Sequence, residues 1–183
     1  MGYEVALNKA WAEVADLTDK KNLSVKFLAD EYSVDLEART IVSLACNVPA
    51  KDFTAIIVLH YCAQNIKGLP QVTGEWFTFK ELVRIEGYEP AFRQRSIAPV
   101  IRKYGKNPAG LYEALQRLPG KKGEGADASV ILEAFPSVPV LIEIWAGDDE
   151  FGPEANILFD KSVARIFCTE DIVVLAGAVA ASV

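Results

Sequence analysis

The side chain best suited to ligand or acid–base chemistry is His60, the only histidine of the chain, which lies in a largely apolar segment. One imidazole excludes a metal site built from several histidines and an acid–base pair of two histidines. No acid in the sequence is placed to orient His60, and no serine lies in a Gly-x-Ser-x-Gly elbow. Two interpretations stay open: a core histidine satisfied by one hydrogen bond, and a ligand of a bound cofactor.

A second group of chemically active side chains is acidic. Asp148, Asp149 and Glu150 follow one another between two apolar segments, and Glu154 comes shortly after them. Carboxylate oxygens bind hard divalent cations, so Asp148, Asp149 and Glu150 form a candidate metal site, although their spacing is not that of a calcium loop. A solvated hairpin turn would contain the same residue types.

The third group is basic and comprises Arg93, Arg95, Arg102 and Lys103. A guanidinium group can hold a carboxylate or phosphate through two parallel hydrogen bonds, which a lysine cannot do. The alternative is a solvated helix face, or one that pairs with the acidic run at 148–150. Residues 80–122 carry 10 basic and 4 acidic side chains, whereas residues 123–183 carry 2 and 11.

Composition narrows the class of protein. The net charge of −6 and the pI near 4.9 disfavour a nucleic-acid partner, because binding to phosphates relies on lysine and arginine. Three cysteines, Cys46, Cys62 and Cys168, match no zinc, iron–sulfur or disulfide spacing, so we expect free thiols and no iron–sulfur cluster in this chain.

We see no targeting signal, and the longest apolar run, 172–181, is far shorter than the roughly 20 residues that cross a bilayer. We expect a cytoplasmic protein without a membrane partner.

The elements that must position these side chains follow from periodicity. We predict helices at 3–18 and at 53–66, the latter with Asp52 as N-cap, a basic helix from Pro90, a helix at 109–118, and a last helix after residue 169. Strands are predicted as a three-stranded meander from Leu23 to Leu44, and at 76–79, 130–135, 138–145, 157–159 and 163–167. The glycine-rich segment 120–125 lacks a P-loop pattern and is predicted as a flexible surface loop.

These helices and strands come in separate runs, without βαβ alternation. The sequence therefore predicts an α+β fold, in which residues 1–183 form a single domain with a largely antiparallel sheet and helices packed against it. A chain of this length, 51% hydrophobic, buries a core without disulfides or metals.

A resemblance to a known family accompanies this reading of the residues. Its points are Leu59-His60-Tyr61, Gly74-Glu-Trp76 with Phe79 and Leu82, Phe92, Arg95, the turn Trp145 to Phe151, and Ile157-Leu-Phe-Asp160. With these the chain resembles, over nearly its whole length, an uncharacterised family of anaerobic bacteria and archaea, some members of which carry an added iron–sulfur domain. The cysteine run of that domain is absent here. The resemblance implies a setting in redox or corrinoid metabolism and no established reaction.

The leading hypothesis is a ligand-binding accessory protein for an anionic organic cofactor of the tetrapyrrole or corrinoid type, with a pocket between the His60 helix and the sheet. Its cofactor-binding residues would be His60, Tyr61, Trp76, Arg93, Arg95 and Trp145. Two alternatives stay open: a non-catalytic module that docks onto a redox or corrinoid protein partner, and a metal-dependent enzyme that uses Asp148, Asp149 and Glu150. No catalytic constellation is complete, which favours the non-enzymatic interpretations.

Overall fold

A computed structural model describes residues 3–83 and 87–183. The fold is α+β, as predicted, but its strands form two antiparallel sheets instead of one, with three and five strands. The two sheets share one core, where the rings of Phe27 and Phe135 stack at 4.4 Å and the Leu28 amide donates to the carbonyl of Ala134. Within the described ranges, no helix is both long and apolar enough to cross a membrane.

The N-terminal part matches the predicted order of elements. Helix α1 spans Glu4–Leu17, and the meander consists of β1 (Asn22–Phe27), β2 (Asp30–Asp35) and β3 (Thr40–Ser43), paired in chain order. Helix α2 spans Asp52–Lys67 and packs against α1, β1 and the last helix, which explains why it is apolar on most sides. Its N-cap is Lys51, so Asp52 is the first helical residue, where its charge favours the helix dipole.

The middle of the chain is helical but irregular. Strand β4 (Trp76–Thr78) leads into α3 (Phe79–Val83), so Phe79 begins a helix rather than ending the predicted strand. The predicted basic helix is continuous from α4 (Glu89–Phe92) through a π-helix (Arg93–Ile97) to α5 (Ala98–Tyr104). A 3₁₀-helix over Pro108–Gln116 takes the place of the helix predicted at 109–118.

The larger sheet has the strand order β4-β8-β7-β6-β5. Its strands are β5 (Gly120–Lys122), β6 (Ala128–Phe135), β7 (Val138–Trp145) and β8 (Glu154–Asp160). The prediction of a flexible loop at 120–125 is wrong for its first three residues, because β5 pairs with the edge of β6. A side chain on Gly120 would collide with the carbonyl of Ile131, so this glycine permits close pairing instead of signalling disorder.

The strand predicted at 163–167 is also wrong, since Lys161–Arg165 is a second 3₁₀-helix. The physical reason lies one residue earlier: the Asp160 carboxylate accepts a hydrogen bond from the Ser162 amide at 2.9 Å and caps the turn that ends β8. Helix α6 then spans Thr169–Ser182 and packs against α2 and the π-helix.

Candidate functional site

His60 has an orienting acid that the sequence did not reveal. Its Nδ1 lies 2.7 Å from Oδ2 of Asp171, which is 111 positions away on the first turn of α6. Asp171 is 4% exposed, and the same oxygen accepts hydrogen bonds from the backbone amide and the thiol of Cys168, both at 3.2 Å. The carboxylate therefore caps α6 and fixes the imidazole ring at once.

The carboxylate of Asp171 changes the pKa values of both His60 and Cys168. The hydrogen bond that His60 donates to Asp171 raises the pKa of His60 above its ordinary value of 6.5; burial opposes this rise, and the charge of Glu13 adds to it. Although Cys168 as a residue is exposed, partial burial of its thiol raises its pKa to about 12, and the charge of Asp171 contributes. The thiol is thus protonated at neutral pH, and because the carboxylate stands between Cys168 and His60, the three do not form a nucleophilic triad.

The far edge of the imidazole is partly open. The His60 side chain is 28% exposed, and none of the described residues forms a hydrogen bond with its Nε2. A histidine with one nitrogen fixed by a carboxylate and the other not bonded to protein is the arrangement found in metal- and haem-ligating histidines before the ligand binds. A core histidine needs one hydrogen-bond partner, and Asp171 provides it. The geometry is therefore compatible with both a core histidine and a cofactor ligand.

The remaining residues predicted to bind a cofactor are dispersed. Tyr61 is part of the core: it stacks on Phe135 at 4.5 Å, its hydroxyl donates to the carbonyl of Pro136, and burial raises its pKa to about 12. Pro136 comes just before β7, whereas the half-buried Trp145 ends that strand, about 23 Å from Val138 at the usual rise per residue. Trp76, also half-buried, lies on the β4 edge opposite Asp160.

The acidic turn closes on itself. Oδ1 of Asp148 accepts hydrogen bonds from the amides of Glu150 and Phe151 at 2.8 and 2.7 Å, and these bonds lower the pKa of Asp148. Asp149 and Glu150 are exposed. Across 3–83 and 87–183, no group of three or more histidine, cysteine, aspartate and glutamate side chains is arranged to hold a metal ion. The observed geometry is that of a solvated turn.

A cavity of about 290 Å³ lies where the larger sheet meets the irregular helices. Strand β4 pairs with only Leu158, Phe159 and Asp160 of β8, so the preceding residues of β8 have no strand beside them on that side. Helix α3 and the π-helix pack there instead. The cavity is lined by Thr78, Phe79, Lys80, Glu89, Phe92, Arg93, Ile97, Ala155, Asn156 and Ile157.

This cavity has an apolar floor and a charged rim. The apolar lining residues are at most 6% exposed, and Phe79 and Phe92 stack at 4.4 Å with their rings 6° from parallel. Lys80, Glu89 and Arg93 are exposed and surround the opening. A buried apolar floor below a few charged groups is typical of small-molecule sites.

Of the six residues predicted to bind a cofactor, only Arg93 lines this cavity; Arg95 is exposed outside it. Arg102 is exposed, and Lys103 donates to the carbonyl of Val183. No ion pair joins these four basic residues to a carboxylate within the described part of the chain. Sequence reasoning missed Lys80, Glu89 and Asn156, because three separate segments build the cavity and no local pattern marks them.

The fold is that of an α+β protein with a cavity of about 290 Å³ at the edge of its larger sheet. A model of the family described as "Domain of unknown function (DUF3786)" matches residues 9–182, and the chain belongs to that family. No curated protein and no solved structure matches the chain. The predicted membership of an uncharacterised family is confirmed.

Proposed function

We propose that this protein binds a small organic molecule through its anionic group in the cavity between α3, the π-helix and β8. The observation that carries the proposal is the pair of cations, Lys80 and Arg93, above a buried aromatic floor. The chain as a whole is acidic, so a local pair of cations on a cavity is not a consequence of its average composition. Among the described residues, no carboxylate forms an ion pair with either of them.

The size of the cavity limits the ligand. Clefts and cavities that bind drug-sized molecules measure about 300–1,000 Å³, and this one, at about 290 Å³, lies just below that range. The apolar part of the ligand would pack on the small surface that Phe79, Phe92 and Ile157 leave open, and each Å² of apolar surface removed from water contributes about 25 cal/mol. Its anionic group would remain at the rim, where Arg93 can hold it through two hydrogen bonds.

Isothermal titration calorimetry with 3-phenylpropanoate tests the proposal, and the neutral amide of the same acid serves as the ligand control. We expect the acid to bind and the amide to bind about tenfold more weakly or not at all, since a charged hydrogen bond contributes about 1.5–3 kcal/mol. Arg93→Gln should weaken binding of the acid by a similar factor. Arg95→Gln is the matched control, because Arg95 is exposed two residues away but does not line the cavity.

Equal affinity for acid and amide, or an equal effect of the two arginine substitutions, would contradict this assignment. Circular dichroism of each variant establishes that the fold is retained.

A second candidate is the tetrapyrrole or corrinoid ligand, and the partly exposed His60 side chain, whose Nε2 forms no hydrogen bond with the described residues, favours it. Asp171 would act as the carboxylate partner that makes the imidazole a stronger axial ligand. Titration with haem or cobalamin should then shift the visible bands, and His60→Ala should abolish the shift. Spectra that stay unchanged in excess ligand would remove this candidate.

A further inference from the structure

The rim of the cavity carries a negative charge next to its positive ones. Glu89 is the first residue of α4, and Arg93 follows one turn later; the backbone amide of Arg93 donates to the carbonyl of Glu89. Residues at positions i and i+4 lie on the same helix face, and both of these line the cavity.

These two opposite charges do not neutralise one another. A glutamate and an arginine at this spacing commonly form an ion pair, yet none within 4.0 Å joins Glu89 and Arg93, both of which are described. Neither side chain is therefore held by the other at the opening of the cavity. A ligand that carried only negative charge would be attracted by Arg93 and repelled by Glu89.

We infer that the ligand is a zwitterion with an apolar substituent, of the chemical class of an α-amino acid with a leucine- or phenylalanine-sized side chain. This inference rests on the proposed function and specifies its ligand. The carboxylate would meet Arg93, with Lys80 beside it, and the ammonium group would meet Glu89. The two charges of an α-amino acid are separated by a single carbon, so both can face the rim while the side chain enters the cavity.

The floor fits this substituent. Phe79, Phe92, Ile97 and Ile157 are each buried to at least nine-tenths, and Phe92 also meets Phe159 edge-on, with ring centroids 6.3 Å apart. A flat ring can extend the stack of Phe79 and Phe92, and a branched aliphatic chain can fill the same space. The cavity is too small to enclose an extended ligand completely.

The test compares L-phenylalanine with 3-phenylpropanoate, which lacks the ammonium group, and with phenethylamine, which lacks the carboxylate. We expect L-phenylalanine to bind about tenfold more tightly than either analogue, since each analogue leaves one rim charge without a partner. Calorimetry on the full chain measures all three, and L-leucine serves as a second amino acid.

Substitutions of Glu89 and Arg93 test which rim residue binds the ammonium group and which binds the carboxylate. Glu89→Gln should weaken binding of L-phenylalanine about tenfold and leave 3-phenylpropanoate unchanged or tighter, whereas Arg93→Gln should weaken both acids. Glu124→Gln is the control, because it removes an exposed acid that does not line the cavity. Thermal unfolding of each variant verifies that it folds.

The outcomes separate the two proposals. If 3-phenylpropanoate and L-phenylalanine bind equally, and Glu89→Gln affects neither, the ligand is a simple anion; the inference then fails while the proposed function stands. If neither acid binds, both are overturned. Tighter binding after Glu89→Gln for every acid, with or without an ammonium group, would also overturn the zwitterion.

Discussion

At the scale of single residues, the most informative contact joins His60 to Asp171. The imidazole gains a charge partner that is itself buried and held by two groups of Cys168. Glu13 on α1 adds negative potential from another side. Since these carboxylates favour the protonated ring, the imidazole holds its proton to a higher pH than a free histidine.

The pKa of His60 can be measured directly, because the chain has one histidine and its imidazole signals need no assignment. We expect a nuclear magnetic resonance titration to give a pKa above 6.5, and Asp171→Asn to lower it. A raised folded-state pKa contributes stability that is present below the unfolded value of about 6.5 and is lost as pH rises through the folded value. Asp149→Asn is the control; an identical pKa in wild type and Asp171→Asn would refute the pairing.

At the scale of elements, two glycines differ in whether the fold has room for a side chain at their position. Gly120 lets β5 approach the backbone of β6, whereas Gly177 lies inside α6 with open space where a side chain would stand. The first glycine is required by packing, and the second only lowers helix propensity.

Alanine at each position should therefore have opposite effects. Gly120→Ala should lower the free energy of unfolding by about 1–3 kcal/mol, as overpacking does. Gly177→Ala should raise it by about 0.5–1 kcal/mol, because alanine is the better helix former. Urea denaturation measures both changes. Stabilisation by Gly120→Ala would mean that β5 does not pair as described.

At the scale of the whole molecule, Asp160 joins distant segments. Its buried carboxylate accepts hydrogen bonds from the amides of Thr73, Gly74 and Ser162, and so ties the approach to β4 to the end of β8. Burial by itself would raise the pKa of Asp160, but the hydrogen bonds from Ser162, Thr73 and Gly74 together lower it below 3.8. The ionised form is thus the one that the fold stabilises.

Asp160→Asn should lower the free energy of unfolding by about 1–3 kcal/mol at pH 7, because an amide group turns a donor toward amide donors. A lowered folded-state pKa contributes stability that is present above the unfolded value and is lost as pH falls through the folded one. The difference between wild type and variant should therefore shrink below about pH 4 in denaturant titrations. A difference that does not vary with pH would show that the charge of Asp160 has no such role.

Much of the fold was available from the sequence, because its signals are local. Apolar periodicity located α1, α2, the meander, β6, β7 and α6, and the separation of helices from strands predicted the α+β class. The errors at 120–122 and 163–167 arose where a tertiary or capping contact overrode a local pattern: β5 pairs with the edge of β6 despite its glycine-rich sequence, and the Asp160 cap begins a 3₁₀-helix in an apolar segment.

For the candidate sites as well, some features could be predicted from the sequence and others could not. The sequence by itself identified the types of group available: one histidine, a basic central segment and an acidic turn. Only the tertiary structure decided that Asp171 orients His60 across 111 positions, that Asp148 serves its own turn, and that Arg93 shares a cavity with Lys80 and Glu89. Periodicity indicates which face of a helix or strand is buried, but it does not indicate which distant segment packs against that face. A binding site is formed where such distant segments come into contact.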